Sequence, residues 1–305
     1  MGLSDIHGNP ESASQGKALR PTLCLLASHA TGQPIIQALP AAISLELIHN
    51  SSIIHDDIQD LDETRRHQPT LWKVWGKSRA LVVGDILKII ADITLWDLPN
   101  TTQTFVQVQH AIKLLTQAYL EMVEGQFLDI SFEGRQDINL KEYLRMIQKK
   151  TGALIRCALH VGALLGTNDQ KIVQSFRKYG ESLGLLFQIR DDILGICGDT
   201  KFTGKPVGAD ILRKKNTLPV IFAMEQLRGK DIHILSNIYH KSDVTENELQ
   251  TALDIIESVG GIKYSNDLAQ KHEKIAVNAI KELKISSEVH IELRNIATFL
   301  LTRDH

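Results

Sequence analysis

The distribution of proline is what most limits this chain. Its eight prolines all fall at or before Pro219, and residues 100–205 and 220–305 contain none. Proline breaks a helix interior by removing a backbone donor and clashing with the preceding turn, so runs this long without it favour helices. Apolar spacing agrees. Phe105, Val108, Ile112, Leu115, Tyr119 and Met122 recur at steps of three and four, one stripe on a helix face. No alternating apolar–polar run flanked by turn residues marks a strand. Helices are predicted over roughly 35–61, 78–97, 102–132, 139–165, 168–196, 217–228, 245–258, 262–284 and 287–301. Loops are predicted at "IHGNPESASQGKALRP", "DETRRHQPT", "EGRQDIN" and "GDTKFTGKPVGAD". With no linker or shift in composition, the chain reads as one all-α domain over 1–305, its first fifteen residues loop-like.

A length of 305 residues is ample for a buried core, and 43% hydrophobic with 23% charged residues suits a soluble globular protein. The net charge of −2 leaves no basic excess for nucleic acid or an anionic membrane. Cys24, Cys157 and Cys197 are few, odd in number and far apart, which suits a reducing cytosol and no metal spacing. The N-terminus lacks the basic-then-apolar pattern of a signal peptide. The most apolar window, "ALVVGDILKIIADITLW", carries Asp85, Lys88 and Asp92, too many charges for a spanning helix. The expectation is a soluble cytoplasmic chain.

Within "IIHDDIQD" three carboxylates end an apolar helical run. Asp56 and Asp60 share a helix face, with Asp57 beside them. A solvated helix end would explain one such cluster. A second occurs in "FQIRDDILG", at Asp191 and Asp192. Like charges this close repel unless a cation holds them. Magnesium suits carboxylates without His or Cys, taking one or two of them together with substrate phosphates. Phosphates also need cationic clamps, and nearby loops offer Lys17, Arg20, Arg65, Arg66, Lys205 and Lys215, with Lys150 in "QKKTG". Each alone reads as a surface charge; their joint placement beside Gly, Pro or Thr is the stronger signal.

Nucleotide motifs are missing. Gly-Lys in "SQGKALRP" and "TKFTGKPVG" lacks the following Ser or Thr of a phosphate loop, and no G-x-G-x-x-G follows a strand. The twelve histidines form no H-E-x-x-H pattern, and no nucleophile stands in a recognisable turn.

Seven segments, "GKALRP", "ELIHNSSIIHDDIQDLDETRRHQPT", "VVGD", "GQFLDISFE", "KKTGALI", "LGLLFQIRDDILG" and "GKPVGADILRKKNTLP", together resemble the trans-isoprenyl diphosphate synthases, or polyprenyl synthetases. They occur in the family's order from residue 16 to about 220. Within the family the chain is most similar to bacterial geranylgeranyl diphosphate synthases. The resemblance implies an isoprenoid-synthase helical bundle around a central cavity, acting as a homodimer on isopentenyl diphosphate and allylic diphosphates. It implies Mg2+ held by Asp56, Asp60 and Asp191, with Asp57 and Asp192 in support. Arg65, Lys150, Lys205 and Lys215 would surround the allylic diphosphate, and Thr151 and Gln188 would turn oxygens to the cation. Lys17, Arg20, His49 and Arg66 match the isopentenyl diphosphate pocket.

Ser51 and Ser52 stand where relatives that stop at fifteen carbons carry bulky aromatics, which implies a product of twenty carbons or more, geranylgeranyl diphosphate above others. Three departures stand out. Gly195 replaces the last Asp of the second motif, the chain starts close to "GKALRP", which would weaken dimer packing, and Lys88 sits at a position that is apolar or aromatic in relatives. Lys88 either faces the tunnel at a cost or snorkels at the surface. Two alternatives stay open: a class I terpene cyclase, and a non-catalytic subunit of a heteromeric synthase. Retention of the second diphosphate pocket and only 5% aromatic residues argue against the first. Intact Asp and Lys motifs argue against the second.

Overall fold

A computed structural model describes residues 18–66, 68–98, 105–198, 207–241 and 243–304. Its helices are α1 (Leu19–Ala30), α2 (Leu39–Gln59), α3 (Leu71–Trp75), α4 (Lys77–Thr94), α5 (Phe105–Phe132), α6 (Leu140–Ile147) and α7 (Ala153–Gly166). They continue with α8 (Gln170–Cys197), α9 (Ala209–Leu212), α10 (Leu218–Gln226), α11 (Lys230–His240), α12 (Glu246–Ser258), α13 (Gly261–Ile280) and α14 (Ser287–Thr302). The fold is all-α. Between α2 and α3 lies a two-residue antiparallel ladder, β1 (Thr64–Arg65) with β2 (Gln68–Pro69), where the sequence predicts only loop. The loop-like reading of residues 1–15 lies outside the described residues.

Besides the short α3 and α9, which fall where no helix is predicted, two longer helices depart from the sequence reading. α1 starts at Leu19, inside a predicted loop, with Pro21 in its first turn, where the missing N–H has no helical partner to lose. α11 falls where the sequence predicts no helix; only Leu235 and Ile238 of its residues are fully buried, a faint periodic signal.

The described residues form two compact units, one drawn from 1–116 and 157–173, the other from 117–156 and 174–305. In the first, α2 packs along α4. Small residues Ala80, Gly84 and Ala91 form the buried face of α4. A Cβ at Gly84 would lie 2.2 Å from the His55 ring nitrogen Nε2, so a larger residue there would displace the imidazole. The opposite face of α4 is also apolar: Leu81, Val82, Ile86, Ile89, Ile90 and Ile93 are all exposed. Lys88 pairs with Asp92 at 2.5 Å, one turn along the same helix, an intrahelical ion pair that keeps its ammonium compensated.

In the second unit, the predicted 139–165 helix is interrupted by a π-helical turn, Gln148–Gly152, between α6 and α7. Glycines on neighbouring helices admit this turn. A Cβ at Gly125 of α5 would meet the Lys150 backbone nitrogen at 2.1 Å, and one at Gly184 of α8 would meet Gly152 Cα at 2.7 Å. Asn139 and Glu142 close a capping box that starts α6, satisfying two otherwise unpaired backbone donors. Further along the chain, Ile196, Ile211, Val220, Leu235, Ala252 and Ile256 form one apolar cluster.

Close backbone approach also governs the first unit, where a Cβ at Gly162 of α7 would fall 2.1 Å from the Cys24 carbonyl oxygen of α1. An exposed helical Gly→Ala change gains about 1 kcal/mol. Here the overlap wins, because backbone must move: Gly162→Ala should cost roughly 1–3 kcal/mol. Urea denaturation with a lowered midpoint and unchanged slope is the expected result; an unchanged or raised midpoint would contradict the packing described.

Candidate active site

The acidic end of α2 is electrostatically costly by itself. Asp56 and Asp57 lie in its last turn and Asp60 caps it, donating its N–H to the Asp56 carbonyl at 2.8 Å. Carboxylates at a helix C-terminus add to the negative end of the macrodipole, so they call for cations. One cation is built in. Arg65 Nε and Nη2 both lie 2.7 Å from Asp57 Oδ1, and Nη2 is 3.9 Å from Asp56 Oδ2. Burial of Asp57 pushes its carboxyl up, and Arg65 only partly offsets this. The Asp62 carbonyl holds the returning loop, accepting from the Thr70 hydroxyl at 2.7 Å and the Trp72 indole at 2.9 Å. Arg66 follows β1 with φ +52°, a left-handed corner that separates its direction from that of Arg65.

Two turns before Asp56 on nearly the same face stands His49. Burial, then the charges of Arg20, Arg65 and Arg66, push its pKa down to about 2. The imidazole is therefore neutral at physiological pH, set among three guanidiniums. Such a cluster has the chemistry to hold an anion, since Arg forks match phosphate oxygens. Ser51 is fully buried at the α2–α4 crossing and its hydroxyl donates to the Gly84 carbonyl at 2.8 Å. Ser52 is half-buried and bonds within its own helix, to the His49 carbonyl at 2.7 Å.

The second unit holds the other group of residues. The π-turn carries Lys150, whose ammonium lies 2.5 Å from Asp129, and Thr151, whose hydroxyl lies 2.7 Å from Gln188 Oε1. Gln188 Nε2 donates to Asp192 Oδ1 at 3.0 Å. Asp192 Oδ2 accepts from the Tyr143 hydroxyl at 2.5 Å and the Leu218 N–H at 3.0 Å. Burial pushes the Asp192 carboxyl up to about 7 despite these donors. Asp191 is half-exposed and receives an ion pair from Arg303, whose guanidinium also stacks 4.3 Å from the Phe187 ring. Gly195, in place of an aspartate, leaves room for Asp210: a Cβ there would meet Asp210 Oδ2 at 1.9 Å. Lys215 is exposed, its N–H bonded to the Asp210 carbonyl at 2.9 Å. Lys17 and Lys205 lie outside the described residues.

The structure thus gathers Arg20, His49, Asp56, Asp57, Arg65 and Arg66 in one unit, and Lys150, Thr151, Gln188, Asp191 and Asp192 in the other. Sequence reasoning missed Tyr143, Asp129, Asp210 and Arg303. Asp129 and Asp210 stood inside recognised segments, "GQFLDISFE" and "GKPVGAD", and were legible there. Tyr143 and Arg303 carried no local signal. Among the described residues no three His, Cys, Asp or Glu side chains converge as a preformed metal cage. Oxygen-only donors such as Asp56 and Asp60, at the end of α2, have the chemistry to hold a hard cation completed by water and substrate oxygens.

A polyprenyl synthetase profile matches residues 10–256. The chain is 34% identical to a (2E,6E)-farnesyl diphosphate synthase of Mycobacterium tuberculosis, over 99% of this chain and 84% of that protein. It superposes with a TM-score of 0.90 on a geranylgeranyl pyrophosphate synthetase of Pyrococcus horikoshii, 33% identical, covering 94% of this chain and 86% of the other. A polyprenyl synthase of Caulobacter crescentus, solved with calcium and isoprenyl diphosphate, gives 0.84 at 27% identity, covering 95% of this chain and 86% of that one.

The neutral state of His49 has a measurable consequence. A histidine whose folded pKa lies below its unfolded value of ~6.5 takes up its proton on unfolding, so stability falls as pH drops below ~6.5. The window runs from there down toward the folded value of about 2. One such proton contributes a slope of up to ~1.4 kcal/mol per pH unit. His49→Gln should flatten the unfolding free energy between about pH 6 and 5 by most of that slope. An identical pH dependence in both proteins would show that His49 is not held neutral.

Proposed function

Because the chain belongs to the polyprenyl synthetase family and is a prenyl-elongating transferase, we propose that it joins isopentenyl diphosphate to an allylic diphosphate and that its main product is geranylgeranyl diphosphate. In this reaction the allylic C–O bond breaks and its electron pair leaves with diphosphate. The isopentenyl double bond then attacks the allylic carbon, and a proton passes to the departing diphosphate. The reading is carried by half-buried His49, which feels the charges of Arg20, Arg65 and Arg66, on the helix that bears Asp56 and is capped by Asp60. An anion pocket beside a carboxylate cluster serves two diphosphates, one bound directly and one bound with metal. A cyclase handles a single diphosphate and has no use for the first.

Divalent metal is general in the family, and magnesium is our assignment here, held by Asp56, Asp60 and Asp191. When bound, it supplies positive charge that neutralises the leaving diphosphate. The chain adds Arg65, Lys150, Lys205 and Lys215, whose charges gain most from the transition state, where the diphosphate is most negative. Lys17, Arg20, His49 and Arg66 orient isopentenyl diphosphate, with the histidine as a neutral hydrogen-bonding group. Thr151 and Gln188 offer oxygens to the allylic cation.

Product length is assigned from Ser51 and Ser52, small side chains five and four residues before Asp56. Because Ser51 is wedged into the α2–α4 crossing, a ring placed there would force these helices apart; Ser52 is the cleaner position to probe. A second copy of the chain is our proposed partner. Its support is the apolar outer face of α4, where Ile89 and Ile93 are each 58% exposed, a patch that polar solvent disfavours. A single domain and a cytoplasmic location complete the proposal. Consistent with the latter, the three cysteines form no disulfide, and no described helix is long and apolar enough to cross a membrane.

The direct test is chromatography of products from purified protein, magnesium, isopentenyl diphosphate and each allylic primer. A cyclic hydrocarbon formed from an allylic diphosphate alone would overturn the reading. Asp56→Asn and Asp191→Asn should each lower kcat by at least roughly a hundredfold with the fold intact, the scale of losing one strong electrostatic stabiliser. Full activity in either variant with unchanged magnesium dependence contradicts the metal assignment. Ser52→Phe should move the main product toward fifteen carbons without loss of total turnover. An unaltered product spectrum would remove this helix face from the tunnel.

A further inference from the structure

We infer that Tyr143 is a positioning residue for prenyl transfer, acting through Asp192 and Gln188 to hold the Thr151 hydroxyl with its lone pairs, and not its hydrogen, available to the allylic cation. The inference rests on the prenyl-transfer reading above and adds a residue and a direction to it. The direction follows from counting donors. In its ionised form, with two donors already on Oδ2, the Asp192 carboxylate only accepts hydrogen bonds. Asp192 Oδ2 takes the Tyr143 O–H at 2.5 Å and the Leu218 N–H at 3.0 Å. That leaves Oδ1 facing Gln188 at 3.0 Å, so the amide group on that side is the NH2. The amide oxygen then faces Thr151, 2.7 Å from its hydroxyl. An amide oxygen carries no hydrogen, so Thr151 must donate its single one to Gln188. Only lone pairs remain on the threonine oxygen. Lone pairs stabilise a neighbouring carbocation, whereas a hydroxyl hydrogen would repel it.

Burial makes the arrangement firm. Tyr143 is 1% and Asp192 3% exposed, so water has little access to replace a missing donor. Without the phenol, Oδ2 keeps one donor and the carboxylate can turn. The Gln188 amide then loses the reason for its orientation. A flipped amide would donate to Thr151 and release the hydroxyl hydrogen to rotate outward.

The test is a double-mutant cycle of Tyr143→Phe and Gln188→Leu, read by single-turnover prenyl transfer and by KM for each diphosphate. Tyr143→Phe alone should slow the chemical step about tenfold, with both KM values within about twofold. In the Gln188→Leu background it should slow the step less than about twofold further. Equal losses in both backgrounds, or a loss confined to KM, would overturn the inference in favour of simple packing. Should Tyr143→Phe not fold, the unsubstituted protein still decides. With 15N-labelled glutamine, the Gln188 side chain should show one amide proton protected from exchange and shifted downfield by the carboxylate. Its absence overturns the orientation. If the unsubstituted protein transfers no prenyl group at all, the preceding reading fails and the inference about transfer with it, whatever the amide orientation.

Discussion

The second unit depends on one buried carboxylate. Asp192, at 3% exposure, draws its donors from Tyr143 on α6, Gln188 on its own α8 and the Leu218 N–H that opens α10. A carboxylate removed from water is costly unless its lone pairs are filled. Filling them sets the spacing of three helices at once. The same requirement explains why α10 begins where it does: the N–H groups of a helix's first turn lack partners within the helix, and one of them goes to Asp192. Glycines at 125 and 184 then admit the π-turn that brings Thr151 up to Gln188. Packing follows polarity here.

Charge is balanced locally in both units. Asp57 is held by Arg65 and Asp191 by Arg303. These arginines pair the carboxylates at the end of one helix and along another. Arg65 does so from a partly exposed position, whereas Arg303 is buried, stacked on Phe187 and bonded to its carbonyl. In the first unit the excess lies the other way around His49, where burial first, and then the charges of Arg20, Arg65 and Arg66, disfavour a protonated imidazole.

Much of this was legible in the sequence because it is local. Proline-free runs and steps of three and four marked most helices, and the aspartate and arginine motifs marked the charged regions of the site. α1 was obscured because Pro21 reads as a breaker, although the first turn tolerates it. α11 was obscured because two buried residues make a weak stripe. The π-turn has no periodic signature at all; its trace is a set of glycines on other helices, meaningful only once those helices are neighbours. Tyr143 and Arg303 reach their partners across 49 and 112 residues, and no window of sequence spans such a pairing. Ser51 and Ser52 look alike in sequence, and only the structure separates them, with the Ser51 hydroxyl buried against the Gly84 carbonyl and Ser52 bonded within its own helix.

The π-turn also constrains how the chain can change over evolutionary time. An α-helix advances ~100° per residue, so the extra residue in Gln148–Gly152 sets the rotational phase of everything in α7 against α6. Side chains on either side can drift in size, but the number of residues between Tyr143 and Thr151 is locked. Losing one would restore an ordinary helix and swing Ala153, Leu154 and Ile155, all fully buried, by more than a quarter turn. Besides the identities of Lys150, Thr151 and Gly152, the geometry of this stretch therefore fixes its length.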